Sequence, residues 1–118
     1  MNYAEFAEAI MKLIQGEDKL FPLTDTELAK TLHCSDSQIY EVRRYAEIPN
    51  SSARQFAGRI NAITELIRNE DKKRPLTDEN IAKIFGIHAS KVWKLRTARR
   101  IPNSQKRKRN ANQQNEND

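Results

Sequence analysis

Glycine and cysteine are scarce in this chain, with three glycines and one cysteine among its 118 residues. With a single thiol, Cys34, no internal disulfide forms, and the chain fits a reducing compartment. The three glycines are scattered, which leaves no Gly-rich loop to cradle a nucleotide phosphate. His33, Cys34 and His88 lack the paired spacing of a zinc site. Neither a nucleophile motif nor a catalytic carboxylate pair stands out. No apolar run approaches a bilayer's thickness, and the first residues carry Glu5 and Glu8 instead of a basic signal-peptide head. These absences predict a cytoplasmic, non-enzymatic protein with no metal, no cofactor, no small-molecule substrate and no membrane partner.

Charge is what the chain has in quantity. Charged residues make up 31% of it against 37% hydrophobic, which suits small helical units with thin cores. The net charge of +5 is unevenly spread. Residues 1–53 carry five Lys/Arg and nine Asp/Glu, whereas residues 54–118 carry sixteen and seven. A polyanion is drawn to the second half.

Even the four prolines are informative, because they fall in two pairs 53 residues apart. Pro22-Leu23-Thr24-Asp25 returns as Pro75-Leu76-Thr77-Asp78, and Ile48-Pro49-Asn50-Ser51 as Ile101-Pro102-Asn103-Ser104. Glu17-Asp18-Lys19 returns as Glu70-Asp71-Lys72, and Ala29-Lys30 as Ala82-Lys83. Four matches in one register indicate an internal duplication. The predicted organisation is unit one over 1–52, unit two over 53–104, and a basic, then Asn/Gln-rich tail over 105–118. The tail has no apolar residue beyond Ala111 and is expected to be disordered.

Each unit opens with an amphipathic helix: Tyr3, Phe6, Ile10 and Leu13/Ile14 in one, Phe56, Ile60, Ile63 and Leu66/Ile67 in the other. Gly16 and Asn69 are expected to close those helices in the left-handed conformation. Ser52 and Gln55 have the spacing of a capping box for the second. In unit two, Thr77 caps a helix carrying Ile81, Ala82 and Phe85, and Gly86 supplies the positive φ of a tight turn. Val92 and Leu95 then give a second short helix its buried stripe. Unit one repeats the plan with Thr24, Glu27, His33, Cys34, Ile39 and Val42, its histidine costing roughly 1 kcal/mol more than glycine in the turn. Asn80 replaces the capping-box glutamate of unit one. The expected fold is all-α, two tandem three-helix units, each containing a helix-turn-helix.

A helix-turn-helix places its second helix in the major groove of DNA. In unit two this helix and its flank offer His88, Ser90, Lys91, Lys94, Arg96, Thr97, Arg99 and Arg100, followed by Lys106, Arg107, Lys108 and Arg109. Lys and Arg suit phosphates and guanine edges, while Ser and Thr bond several base edges. In unit one the weaker set is Ser35, Ser37, Gln38, Tyr40, Arg43 and Arg44, because Asp36 and Glu41 repel phosphates. Tyr40 and Trp93 occupy equivalent positions and are expected to pack on the first helix or at the junction between units, thymine or sugar contact being the alternative.

Val92-x-Lys94-x-Arg96, then Ile101-Pro102-Asn103-Ser104 and a basic run, resembles the C-terminal DNA-binding region of nitrogen-type alternative sigma factors of bacteria. The resemblance covers roughly residues 75–108 and, more weakly, 22–54. It implies a bacterial, phage or plasmid origin and places Lys94 and Arg96 at promoter DNA. Ala89 and Ser90 stand where that family has paired arginines, and its polymerase- and activator-binding regions have no counterpart here. The expected function is therefore that of a small transcriptional regulator, binding double-stranded DNA sequence-specifically, mainly with helix 89–99. The rival is an adaptor that docks on RNA polymerase or another regulator through its acidic first unit.

Overall fold

The computed structural model describes residues 2–117, with side chains described for residues 2–113. Among the described residues the chain is all-α and contains no strand. Its helices are α1 (Tyr3–Gln15), α2 (Asp25–Leu32), α3 (Asp36–Tyr45), α4 (Ser51–Arg68), α5 (Asp78–Phe85), α6 (Ala89–Ala98) and α7 (Ser104–Asn117). None of them is long and apolar enough to cross a membrane. Two compact units, Met1–Gly58 and Arg59–Asp118, divide the chain, so the division falls inside α4 and not at residue 52.

Each unit has its own core, and the duplication reaches into it. Ala7, Ile10, Leu28, Ala29, Ile39 and Val42 are buried in unit 1. Their counterparts 53 residues on, Ile60, Ile63, Ile81, Ala82, Val92 and Leu95, are buried in unit 2. Periodicity explains the selection, since these are the positions where one helical face recurs. Phe56, counted on that face from sequence, is 47% exposed and lies on the unit 1 side of the division.

Helix starts follow side-chain capping. Thr24 and Glu27 form a full capping box, as do Ser35 and Gln38. Asn80 does the work of the glutamate it replaces, its Oδ1 accepting the Thr77 N–H at 3.1 Å. At α4 the cap is Asn50, whose Oδ1 accepts the Ala53 N–H at 2.8 Å, and not the expected Ser52–Gln55 box. Gln55 instead donates to the Leu20 carbonyl at 2.9 Å. Gly16 ends α1 at φ −90°, and Asn69 is not among the positive-φ residues, so neither is the left-handed cap that their types suggested. Gly58 is demanded by close approach, since a Cβ there would collide with the Lys19 carbonyl.

Left-handed backbone occurs at four described sites, which form two pairs 53 residues apart: His33 (φ 56°) with Gly86 (φ 66°), and Glu47 with Arg100 (both φ 56°). The first pair caps α2 and α5, and in both units the next N–H bonds an alanine carbonyl, Cys34 to Ala29 and Ile87 to Ala82, at 3.0 Å. Only unit 2 uses glycine there. His33→Gly is therefore expected to stabilise unit 1 by about 0.5–1 kcal/mol. A raised urea midpoint with an unchanged m-value would show it; an unmoved midpoint would mean that the turn carries no strain.

The tail departs most from expectation. Residues 104–117 are helical, and Asn103 caps α7 through the Lys106 N–H at 2.8 Å, as Asn50 caps α4. The duplicated stretch does not stop at Ser104: Arg107 stands where Arg54 stands in unit 1.

Candidate nucleic-acid interface

α6 is held against its unit by three residues, Val92, Leu95 and Arg96, each 6% exposed or less. That leaves Ser90, Lys91, Trp93, Lys94 and Thr97 on the open side, with His88 exposed at the helix start. Neither Lys91 nor Lys94 enters any ion pair among the described residues. α6 itself contains no carboxylate. Its cap residue His88 is exposed and makes no side-chain cap bond, while its carbonyl accepts the Lys91 and Val92 N–H groups at 3.0 and 3.3 Å, so only the Ala89 and Ser90 N–H groups of the first turn are left uncapped. The Thr97 hydroxyl, by contrast, is turned inward, donating to the Trp93 carbonyl at 2.8 Å. Thr97 offers mainly its methyl group.

Two of the expected contact residues belong to the scaffold. Arg96 donates from Nε and Nη2 to the two Asp78 oxygens at 2.9 and 3.0 Å, and from Nη1 to the Ile101 carbonyl at 2.9 Å. This fork ties the start of α5 to the chain leaving α6, in a geometry only a guanidinium provides. Arg43 does the same in unit 1, with Asp25 at 3.0–3.1 Å and the Ile48 carbonyl at 3.3 Å. Both side chains are committed to these internal bonds, at 9% and 7% exposure. Neither guanidinium is open as the expected DNA contact of Arg43 and Arg96 requires, including the role the sigma-factor resemblance implied for Arg96.

Arg107, also expected at DNA, is occupied in the same way. Its Nε and Nη2 donate to Glu70 at 2.9 Å, its Nη1 to the Pro102 carbonyl at 2.7 Å, and its Nη2 also to the Leu76 carbonyl at 2.5 Å. Arg54 makes the matching set with Glu17 and the Pro49 and Leu23 carbonyls. A signal for all four arginines was present in the chain. Asp25/Asp78, Arg43/Arg96, Glu17/Glu70 and Arg54/Arg107 are charged positions kept in both copies while most other charges diverge.

The remaining basic residues stay outward. Arg99 is exposed and donates to the Asn61 side chain at 2.9 Å, while Arg100 is exposed in its left-handed turn. Lys106, Lys108 and Arg109 are exposed on α7.

The corresponding face of unit 1 is chemically different. Ser35 and Gln38 are engaged in their capping box, which uses the oxygen of the glutamine. Asp36 accepts the Thr26 hydroxyl at 2.7 Å, and Glu41 the Tyr3 hydroxyl at 2.9 Å. That bond and the Glu41 charge raise the Tyr3 pKa. Tyr40 lies beneath Arg43 and Arg44, with guanidinium-to-ring distances of 5.5 and 5.7 Å. Ser37 and Arg44 are exposed beside the two carboxylates. Tyr40 and Trp93, expected to pack inward, are 48% and 54% exposed.

No group of three or more His, Cys, Asp or Glu side chains among the described residues is placed to hold a metal ion. Partial burial, and secondarily the Asp36 charge, pushes the Cys34 thiol pKa up. Comparison of the chain with protein-family models, curated proteins and solved structures finds no match.

Proposed function

We propose that this protein binds double-stranded DNA sequence-specifically through α6, as a small transcriptional regulator built from two tandem helix-turn-helix units. The observation that carries the proposal is how the two copies diverge. Their buried residues and scaffold arginines correspond, but on the open face Gln38 and Glu41 of α3 are replaced by Lys91 and Lys94 on α6. Folding alone gives no reason for lysine at both positions of unit 2, and on this face only Arg44, matched by Thr97, is a cation that unit 1 has and unit 2 lacks. An α-helix with its side chains is about 10–12 Å across and fits the major groove. Ser90, Lys91 and Lys94 would face base edges there, with Arg99 and Arg100 on flanking phosphates. The uncapped Ala89 and Ser90 N–H groups at the start of α6 would favour another phosphate. Unit 1, with Asp36 and Glu41 on the matching face, suits a protein partner better than a polyanion, and an adaptor role belongs to that unit.

Selection from random duplexes tests the reading, and one enriched motif is the expected result. Lys94→Ala is then expected to weaken the selected complex by at least about 1 kcal/mol, roughly fivefold, with an unchanged melting temperature. No enrichment, or weakening only in step with lost folding, would defeat it.

A further inference from the structure

Sequence alone makes the tail a loose basic extension, but its first turns are built into unit 2. Glu70, with a side chain only 1% exposed, receives the Arg107 fork and also accepts the Leu76 N–H at 3.0 Å. Arg107 in turn bonds two backbone carbonyls. A shallow depression is lined by Glu70, Lys72 and Pro75 on one side and by Arg107, Asn110 and Ala111 on the other, so residues 107–111 of α7 border the unit. Arg107 and Ala111, four apart, form the docked face, and Lys106, Lys108 and Arg109 stand clear of it.

The same latch in unit 1 separates what it holds from what it carries. Glu17 and Arg54 dock the start of α4 with equivalent bonds, yet the positions matching Lys106, Lys108 and Arg109 are Ala53, Gln55 and Phe56. All three diverged positions have become cations on α7, and no acidic residue lies between Ser104 and Gln113 to offset them. A docked helix bearing three such cations complements a row of phosphates, and docking spares the ordering cost that a disordered arm would incur.

We infer that α7 is a second DNA-contacting element, binding the phosphate backbone through Lys106, Lys108 and Arg109, with Glu70 and Arg107 as its positioning residues. The inference rests on the DNA-binding reading of α6 and adds a site to it.

The two arms of the test use the full chain on the selected duplex and follow affinity against salt. Lys106→Gln, Lys108→Gln and Arg109→Gln together, all at exposed positions, should flatten the log–log slope by about 2–3 while the preferred sequence persists. Glu70→Gln is the sharper arm, because it removes a negative charge. On charge alone it would tighten DNA binding; through the latch it should weaken it about tenfold at moderate salt and flatten the slope. Arg107→Lys, which keeps the charge and loses the fork, should behave alike, with faster amide exchange over residues 105–111 in both. An unchanged slope in the triple variant overturns the inference even where the latch variants fail to fold. Tighter or unaltered binding by folded Glu70→Gln overturns it too. In either case a wild-type chain that still selects a motif leaves the α6 reading standing, whereas a wild type that binds no duplex removes both.

Discussion

Ala82→Glu should unfold unit 2 and abolish duplex binding with it. Ala82 is 6% exposed in the core formed by Ile63, Ile81, Val92 and Leu95, against the helix that carries the open lysines. A glutamate there must either bury its carboxylate without a partner or push α5 away from α6. The penalty is several kcal/mol in either event, comparable with the whole stability of a small domain. Lys83→Glu is the control: one residue on, it introduces the same acidic side chain at an exposed site and should change stability by only about 0.5 kcal/mol. Chemical denaturation and amide exchange of residues 59–113 separate the two variants. Native-like protection in Ala82→Glu would mean that α5 and α6 are not packed as described.

The second large effect concerns Arg96. Arg96→Ala should cost about 3 kcal/mol of unit 2 stability, because it strands the Asp78 carboxylate and the Ile101 carbonyl that the guanidinium serves. The Asp78 side chain is 25% exposed, and water relieves part of the loss, which places the estimate at the lower end for a broken buried pair. Arg96→Lys should recover little, since an ammonium cannot span both carboxylate oxygens and the carbonyl. Any fall in DNA affinity should track the folded fraction across temperature. A fully folded Arg96→Ala protein with impaired binding would return Arg96 to the DNA. Lys94→Ala is predicted to show that opposite pattern, so the two substitutions separate scaffold from surface within three residues of one helix.

What the sequence by itself determined was the repeat, most of the buried stripes and the turns at His33 and Gly86, but not those at Gly16 and Asn69 or at Glu47 and Arg100. A 53-residue offset needs no structure to be seen, and helical periodicity selects Ile10, Ile39, Ile63, Ile81 and Val92 because apolar burial follows from spacing alone. Gly86 was legible for the same local reason, as a positive φ beside a helix end asks for glycine. Only the tertiary structure decided where the arginines point. Lys94 and Arg96 are two residues apart on one helix, and composition treats them alike. Yet Arg96 turns inward because Asp78, 18 residues earlier, is brought beside it when α5 folds back on α6. Arg107 meets Glu70 across 37 residues in the same way, and that meeting anchors α7, which apolar content alone assigned to disorder. A long-range ion pair leaves no periodic trace; its trace here was the retention of both partners in the two copies. That Lys91 and Lys94 lie on the open side of α6 was legible because they fall off the stripe of Val92 and Leu95, which is again a matter of spacing.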